Sequence, residues 1–269
     1  MPPRFPYVEL GKLNGPTLVL LAGFPDDKLS AWNEPFLELL KSKYHIFALC
    51  LPDYDNSWAE AKRWGHNFDD LVSGLYETLE TIIKDRQFYL VAHDWGSLIA
   101  QLYENKFPER IKKLVLLDVG QAVKPSLVDV IRILTYQWWF ASAYFWSQIL
   151  GMAIGNAIFY AYFLLCPMFL RCTPTDVIHR KEKATVQVCY PYFQFWKSTL
   201  TGKIIEGKFP SVPTLFLYGN QKTTHFHGQK FLKKLASTPN CGYAELDAGH
   251  WLTHFQPTRS YELIAEFCK

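Results

Sequence analysis

The chain has 269 residues, of which 28 are basic and 25 acidic, and its net charge is +3 at pH 7. This length suits one large domain with an insertion and is too short for two ordinary domains joined by a linker. The charges are spread along the chain without a basic run or an acidic tail, so we expect no nucleic-acid partner.

Cysteine usage and the two ends of the sequence indicate the compartment. The six cysteines form no CxxC pair and have no regular spacing, which argues against a disulfide framework and against a zinc site. The opening segment MPPRFPYVELGKLNG has no apolar run of signal-peptide length, and the closing AEFCK carries no prenylation or retrieval signal. We therefore expect a cytoplasmic protein without a bound metal.

Short apolar runs that end in Gly, Pro, Asp or His recur along the chain and are typical of buried parallel strands. In chain order they lie at residues 18–21, 46–50, 88–92, 114–118 and 215–218. Amphipathic stretches of helical length alternate with them, at 30–40, 67–83, 97–105, 229–235 and 258–267. This alternation predicts an α/β fold with a mostly parallel, doubly wound sheet that helices cover on both faces. Residues 7–10 are expected to add an antiparallel edge strand.

The alternation of strand and helix stops after Gly120 and resumes near Lys208. The residues between are rich in aromatic side chains and helical in pattern, without strand signals or repeats. We therefore predict a helical cap at residues 121–207, inserted into a core of residues 1–120 and 208–269.

Within the predicted cap, residues 133–170 contain no charged side chain, which by hydropathy alone would indicate a membrane span. A span there would place the strands at 114–118 and 215–218 on opposite sides of a bilayer, although both belong to one sheet. We therefore predict no transmembrane span. Two alternatives stay open: a lid that lines an apolar pocket, and a lid whose outer face rests on a membrane.

The segment most informative about chemistry follows the strand at 88–92 and opens the next helix. Ala92 and Gly96 are small enough to let the chain turn sharply, and the side chain of Asp94 between them projects above the sheet, as in a nucleophile elbow. A carboxylate is nucleophilic at neutral pH without losing a proton, so Asp94 can attack a saturated carbon. The ordinary alternative is that Asp94 only caps the helix that begins near Trp95.

Two further segments fit the same chemistry. His250 follows the last strand, in the chain order of nucleophile, acid and histidine, and is the candidate base that activates water. The loop after the strand at 18–21 contains Phe24, whose backbone N–H is expected to form an oxyanion hole with the N–H of Trp95. The alternatives are a structural histidine and a plain proline turn.

Together, the motifs HDWGS at 93–97, AGFPD at 22–26 and AGHW at 248–251 resemble the epoxide hydrolase and haloalkane dehalogenase branch of the α/β-hydrolase superfamily. In that branch the motifs usually read HDWG, HGFP or HGNP, and GHW. The resemblance runs through the chain in order. It implies an α/β-hydrolase fold with an inserted helical cap, an aspartate nucleophile and a covalent ester intermediate. It also implies a small lipophilic substrate and no cofactor or metal.

The resemblance also implies roles for two tyrosines of the cap. The segment LTYQWWF at 134–140 is similar to the Tyr-Gln segment of soluble epoxide hydrolases, whose tyrosine donates a hydrogen bond to the epoxide oxygen, so Tyr136 inherits that role. The nearest match to their second tyrosine is CYPYF at 189–193, which favours Tyr192 over Tyr190. Ordinary aromatic packing is the alternative for both.

Two positions depart from the pattern of these relatives. Ala22 replaces the histidine before Gly-Phe-Pro, which removes a support of the loop but leaves the backbone amides in place. Residues 220–222, Asn-Gln-Lys, stand where relatives have Glu-Lys-Asp, so the usual acid is missing. Asp118 stands where haloalkane dehalogenases carry their acid, one strand after the nucleophile, and we expect it to orient the ring of His250.

Three functions are compatible with these residues. Epoxide hydrolysis is favoured, because a phenol such as that of Tyr136 can protonate the oxygen as the ring opens. A haloalkane dehalogenase needs N–H donors for the halide, and Phe24 stands where the asparagine of HGNP would supply one. The third is a non-catalytic homologue that binds a hydrophobic ligand under the cap, suggested by the missing acid and by Ala22.

Overall fold

The computed structural model describes residues 1–55, 62–121, 127–165, 184–222 and 224–269, without the side chains of 127–130. Its strands are β1 Tyr7–Gly11, β2 Thr17–Leu21, β3 His45–Leu49, β4 Phe88–His93, β5 Ile111–Leu117, β6 Thr214–Gly219 and β7 Gly242–Leu246. Its α-helices are α1 Glu34–Lys41, α2 Phe68–Ile83, α3 Trp95–Lys106, α4 Leu127–Leu150, α5 Met152–Leu165, α6 Tyr190–Leu200, α7 Gln229–Ser237, α8 Leu252–Phe255 and α9 Pro257–Phe267.

The seven strands form one sheet in the order β1-β3-β2-β4-β5-β6-β7. All neighbouring strands are parallel except β1, which pairs antiparallel with β3. The predicted parallel sheet with an antiparallel edge strand is therefore confirmed. Because β2 to β7 run in the same direction, their carboxyl ends meet at one edge of the sheet, where ligands of open α/β sheets bind.

The central strands form because each is a short run of apolar residues that the sheet buries on both faces. Every residue of β3, β4 and β6 is buried. Strand β7, which the apolar runs did not predict, alternates between half-buried and exposed residues, because it lies at the edge of the sheet. Helix α1 begins later than predicted, at Glu34, because Asn33 has extended backbone angles and Pro35 sits in the first turn.

Of the residues that the structure describes between β5 and β6, where the insertion was predicted, three stretches are α-helices, α4, α5 and α6. The boundaries at 121–207 stay a prediction, since residues 122–126 and 166–183 of that range lie outside the described residues, as do Cys166 and Cys172. Among the residues that the structure describes, no helix has both the length and the apolar character needed to cross a bilayer.

The outer face of α4 and α5 carries large apolar side chains in solvent. Trp138 is 42% exposed, Trp146 41% and Leu150 54%. The inner side of the same helices is buried, with Phe140 and Phe159 fully inaccessible. This asymmetry fits both of the alternatives for the cap, and its contact with a membrane stays a prediction.

Candidate active site

Asp94 lies in the sharp turn between β4 and α3, at the carboxyl edge of the sheet. Its φ angle is 55°, which side chains other than glycine rarely adopt. The turn depends on two glycines: a Cβ on Gly96 would lie 2.4 Å from the carbonyl oxygen of Leu21, and a Cβ on Gly23 would lie 2.5 Å from the amide nitrogen of Trp95. Only residues without a side chain allow these segments to approach so closely.

The carboxylate of Asp94 does not act as a helix cap. Although Asp94 occupies the N-cap position of α3, its side chain makes no capping hydrogen bond to that helix. Instead, Oδ1 accepts a hydrogen bond of 2.7 Å from the backbone N–H of Phe24, and the backbone N–H of Trp95 is close enough to help lower the pKa of the carboxylate. The two amides predicted for the oxyanion hole therefore converge on one side of Asp94.

His250 lies between the carboxylates of Asp94 and Asp118. Its Nε2 is 3.2 Å from Oδ2 of Asp94, and its Nδ1 forms a short hydrogen bond to Oδ2 of Asp118. The structure thus brings together the three residues that the sequence singled out as nucleophile, acid and histidine, although 132 positions separate Asp118 from His250.

Asp118 is fully buried at the end of β5 and has a φ angle of 68°. Its Oδ1 accepts a hydrogen bond of 3.2 Å from the N–H of Gly219, and its Oδ2 contacts both His250 and Lys222. Burial alone would raise the pKa of Asp118, but the charges of Lys222 and His250 outweigh it and hold the pKa well below its usual range. Asp118 is therefore ionised at neutral pH.

The two ionisable groups that face each other, Asp94 and His250, stabilise each other's charged form. Burial would raise the pKa of Asp94, but the hydrogen bond and charge of His250 outweigh burial and lower it below 3.8. Burial would lower the pKa of His250, but Asp118 and then Asp94 outweigh burial and raise it to about 9. At neutral pH the resting site therefore holds an imidazolium between two carboxylates.

A second histidine, His93, supports the loop that carries His250. Its Nε2 lies 3.0 Å from the backbone carbonyl of His250, and because a carbonyl only accepts, Nε2 carries the proton. Burial lowers the pKa of His93 to about 4, so it stays neutral. The oxyanion loop is tied to the same region through Asp26, which accepts a hydrogen bond of 2.7 Å from the indole of Trp251. The bond between Asp26 and Trp251 thus supports the oxyanion loop, although Ala22 stands where relatives have a histidine.

Tyr136 of α4 and Tyr192 of α6 lie above Asp94. Their ring centroids are 6.1 Å apart, with the ring planes nearly perpendicular. Oη of Tyr136 accepts a hydrogen bond of 3.2 Å from the side-chain amide of Gln137, which leaves its own proton for another acceptor. Burial is the largest influence on both phenols and raises the pKa of Tyr136 and of Tyr192, so both remain protonated donors.

A cavity of about 300 Å³ lies between the sheet edge and the cap. Asp94 and Trp95 contribute to its floor, and Tyr136 and Tyr192 line it from the cap. Most of its other lining residues are apolar or uncharged: Leu98, Val119, Gly120, Gln121, Gln137, Phe195, Ile205, Gly207 and Phe226. Among the described residues that line it, Asp94 and Glu206 carry a charge. A cavity of this size and lining suits a small lipophilic molecule.

A family model described as alpha/beta hydrolase fold matches residues 16–257. The chain belongs to the α/β hydrolase family. The fold class predicted from the alternation of elements and the superfamily resemblance carried by the motifs are both confirmed.

Relatives of this α/β hydrolase include epoxide hydrolases. Mouse epoxide hydrolase 4 is 35% identical over 115 residues, a match that covers 43% of this chain and 31% of the relative. The chain thus matches about a third of the length of that curated relative.

Solved structures with a similar fold include both kinds of enzyme suggested by the motifs. A Bacillus megaterium epoxide hydrolase in complex with an inhibitor has a TM-score of 0.70 at 19% identity, covering 98% of this chain and 96% of that one. A haloalkane dehalogenase from Bradyrhizobium elkanii has a TM-score of 0.65 at 18% identity, covering 97% and 92%. At such identities the likeness shows the fold alone.

One polar residue of this α/β hydrolase site was not predicted from the sequence. Lys222, which follows β6, places its Nζ 2.5 Å from Oδ2 of Asp118. Lys222 belongs to the segment 220–222, where relatives carry their acid, but no pattern along the chain links this lysine to Asp118. The signal that could have found it is the lysine that stands near the position of the relatives' acid, since a buried carboxylate such as Asp118 needs a cationic partner.

Proposed function

We propose that this α/β hydrolase converts a small lipophilic epoxide to a diol through a covalent ester on Asp94. The observation that carries the proposal is the surroundings of that carboxylate. One oxygen is held by the amide of Phe24, the other lies 3.2 Å from Nε2 of His250, and the cavity above is lined by Tyr136 and Tyr192.

In the first step, a carboxylate oxygen of Asp94 attacks a carbon of the epoxide, and the bond from that carbon to the ring oxygen breaks. The ring oxygen gains negative charge as it leaves and takes a proton from a phenol of Tyr136 or Tyr192. Both phenols are well suited to this role, because a buried, protonated donor stabilises a developing oxyanion in a dry site better than water does at the surface.

In the second step, the imidazolium of His250 first returns a proton to the phenol that protonated the ring oxygen. Water then attacks the carboxyl carbon of the ester, and the neutral His250 accepts the water's proton. Formation of the ester removes the negative charge of Asp94, which had helped to hold the proton on His250, so the pKa of the imidazole falls and the ring can be neutral when water attacks. The amides of Phe24 and Trp95 stabilise the tetrahedral oxyanion. The bond between the carboxyl carbon of Asp94 and the substrate oxygen then breaks, and His250 passes its proton to the leaving alkoxide to release the diol. The carboxyl group of Asp94 finally gives its proton to His250, which restores the resting pair.

The cap tryptophans favour an epoxide over a halide as substrate. A halide site needs a second N–H donor beside the indole of Trp95. The indole of Trp139 is committed to the carbonyl of Ile158 at 2.8 Å, and Trp138 is 42% exposed and packs against Trp196. Neither lines the cavity, whereas both tyrosines do.

The test is a single turnover with enzyme in excess over styrene oxide in water labelled with oxygen-18. The ester mechanism requires an unlabelled diol in this first turnover, with the label in the Asp94 peptide by mass spectrometry. Direct attack of water would label the diol and leave the peptide unlabelled, which would refute the covalent step.

Controls separate the other functions. Replacing the exposed Asp247 by Asn removes a carboxylate close to His250 in the chain and should change nothing. Parallel incubation with 1-chlorobutane tests the dehalogenase function. A dehalogenase would release chloride from 1-chlorobutane and form no diol from styrene oxide. Absence of both products would favour a ligand-binding protein.

A further inference from the structure

The Asp118 carboxylate is shared by two cations on the same oxygen. Nδ1 of His250 and Nζ of Lys222 both contact Oδ2, the latter at 2.5 Å. The side chain of Lys222 is only 7% exposed and that of Asp118 is not exposed at all. Burial of an ammonium group costs free energy unless the group is paired with an anion. A lysine is therefore a poor choice for packing alone at this position, and its pairing with Asp118 points to an electrostatic role.

The surroundings of Lys222 hold the ammonium in place. Its Nζ lies 5.3 Å from the centroid of the Phe226 ring, a cation–π contact, and Phe226 in turn lies against His250 with ring centroids 6.4 Å apart. Another histidine close enough to Lys222 to feel its charge, His227, is kept neutral because burial and that charge lower its pKa to about 4. Lys222 is therefore the positive charge that acts on Asp118 beside His250 itself.

The charges around His250 explain why a second cation matters. The ionisable groups that face its ring are the Asp94 and Asp118 carboxylates, the neutral His93 and, through Asp118, Lys222. Once Asp94 is an ester, Asp118 is the anion that remains against the ring. An unbalanced carboxylate would keep the imidazole protonated, and a protonated imidazole cannot activate water.

We propose that Lys222 is a positioning residue that offsets the charge of Asp118 and thereby lets His250 release its proton in the ester state at neutral pH. The proposal rests on the function proposed above. Lys222 touches neither the substrate cavity nor Asp94, so its effect is on the second step and not on ring opening.

The kinetic test compares Lys222→Met, which keeps the length of the side chain and removes its charge, with Lys222→Arg, which keeps the charge. Rates of ester formation and ester hydrolysis are measured separately against pH by rapid mixing with styrene oxide. For Lys222→Met we expect the midpoint of ester hydrolysis to move up by about 1 to 2 pH units. The loss of rate is then about 10- to 100-fold at pH values well below the parent's midpoint, and smaller at pH 7.

The same variant should keep ester formation within about threefold of the parent and recover hydrolysis at high pH, where the imidazole is neutral anyway. Lys222→Arg should restore the midpoint, and Lys233→Met, at an exposed position, serves as the control. A uniform loss at every pH with an unchanged midpoint would mean that Lys222 only packs, and would overturn the proposal. If Lys222→Met does not fold, Lys222→Gln replaces it.

A second measurement does not depend on catalysis. In an Asp94→Ala background, whose side chain is neutral as the ester is, the pKa of His250 is followed by NMR with and without Lys222→Met. A higher pKa without the lysine is expected. An unchanged pKa of His250 would refute the role of Lys222, whatever the enzyme's activity. If the pKa rises but the single turnover of the parent enzyme leaves Asp94 unlabelled, the coupling between Lys222 and His250 stands and the ester mechanism is refuted.

Discussion

At the scale of the residue, Asp94 combines a strained backbone with a carboxylate held from two sides. A φ of 55° on a residue with a side chain costs on the order of 1 to 3 kcal/mol and persists because β4 and α3 fix the chain on either side. The strain places the side chain above the sheet, where the amide of Phe24 and the ring of His250 meet it. This arrangement serves reaction at Asp94, since the side chain makes no capping hydrogen bond to the helix that follows.

Removal of the nucleophile should abolish turnover without unfolding the protein. Asp94→Ala is expected to give no diol above the uncatalysed rate, since Asp94 is the lining carboxylate that the amide of Phe24 and the ring of His250 contact. Asp94→Asn should start inactive and regain activity slowly as the amide is hydrolysed. Diol formation and the melting temperature are the measurements, and an Ala variant that retains full activity would rule out Asp94 as nucleophile.

His250→Gln should separate the two steps. Ring opening needs only Asp94 and the phenols, so the ester is expected to form and then persist, because no base activates water. Intact-protein mass spectrometry after mixing with styrene oxide should show one added substrate mass per chain. Normal turnover without a trapped ester would exclude His250 as the base.

The two steps should also differ in their response to pH. The pKa of Asp94 lies below its ordinary 3.8, so the carboxylate is ionised above that value and ester formation should not fall between about pH 8 and pH 5. Ester hydrolysis requires neutral His250, whose pKa is raised, so its rate should fall as the pH falls. Single-turnover rates at several pH values measure both, and a parallel decline of the two steps would contradict the assignment.

At the scale of the element, α4 and α6 of the cap each supply one phenol. Tyr136→Phe and Tyr192→Phe together should remove epoxide turnover by at least about a hundredfold while the fold persists, since Phe keeps the packing area and loses only the donor. Single changes should cost less. Tyr144→Phe, on α4 outside the cavity, is the matched control.

If the double variant still released halide from a chloroalkane while Trp95→Phe did not, the dehalogenase would replace the epoxide hydrolase as the function.

At the scale of the whole molecule, the cap and the sheet meet in a cluster of aromatic rings. Phe140 of α4 has its ring centroid 5.0 Å from that of Phe24 on the oxyanion loop and 5.3 Å from that of Tyr192. Phe140 itself is fully buried. Packing of the cap and geometry of the site are therefore coupled through one set of contacts.

Phe140→Ala should lower the free energy of unfolding by about 3 to 5 kcal/mol, the cost of a large cavity in a packed core. Phe145→Ala, five positions along the same helix on a ring that is 36% exposed, should change it far less, by about 0.5 kcal/mol. Chemical denaturation of both variants tests this, and equal losses would mean that the cluster does not join cap and core.

Local pattern was sufficient for the sheet and for the nucleophile elbow. Apolar runs predicted five of the seven strands, and residues 7–10 a sixth, because burial on both faces leaves a continuous signal along the chain; β7, which alternates at the edge, left none. Asp94 was identifiable because a strand, a turn and a helix that adjoin in sequence suffice to define an elbow. Phe24, Trp95 and His250 were identifiable because each lies in one of the three short motifs at 22–26, 93–97 and 248–251.

Tertiary structure alone decided which distant groups meet. Asp118 was predicted as the acid from its place after the strand that follows the nucleophile, but only the parallel packing of β4 to β7 brings its carboxylate against His250. Lys222 lies 104 positions from the carboxylate it contacts. Whether Tyr136 or Tyr192 faces the cavity depends on how α4 and α6 cross, which no periodicity along either helix determines. Side-chain electrostatics act through space and fall off over a few ångströms, so they are set by the fold and not by spacing in the chain.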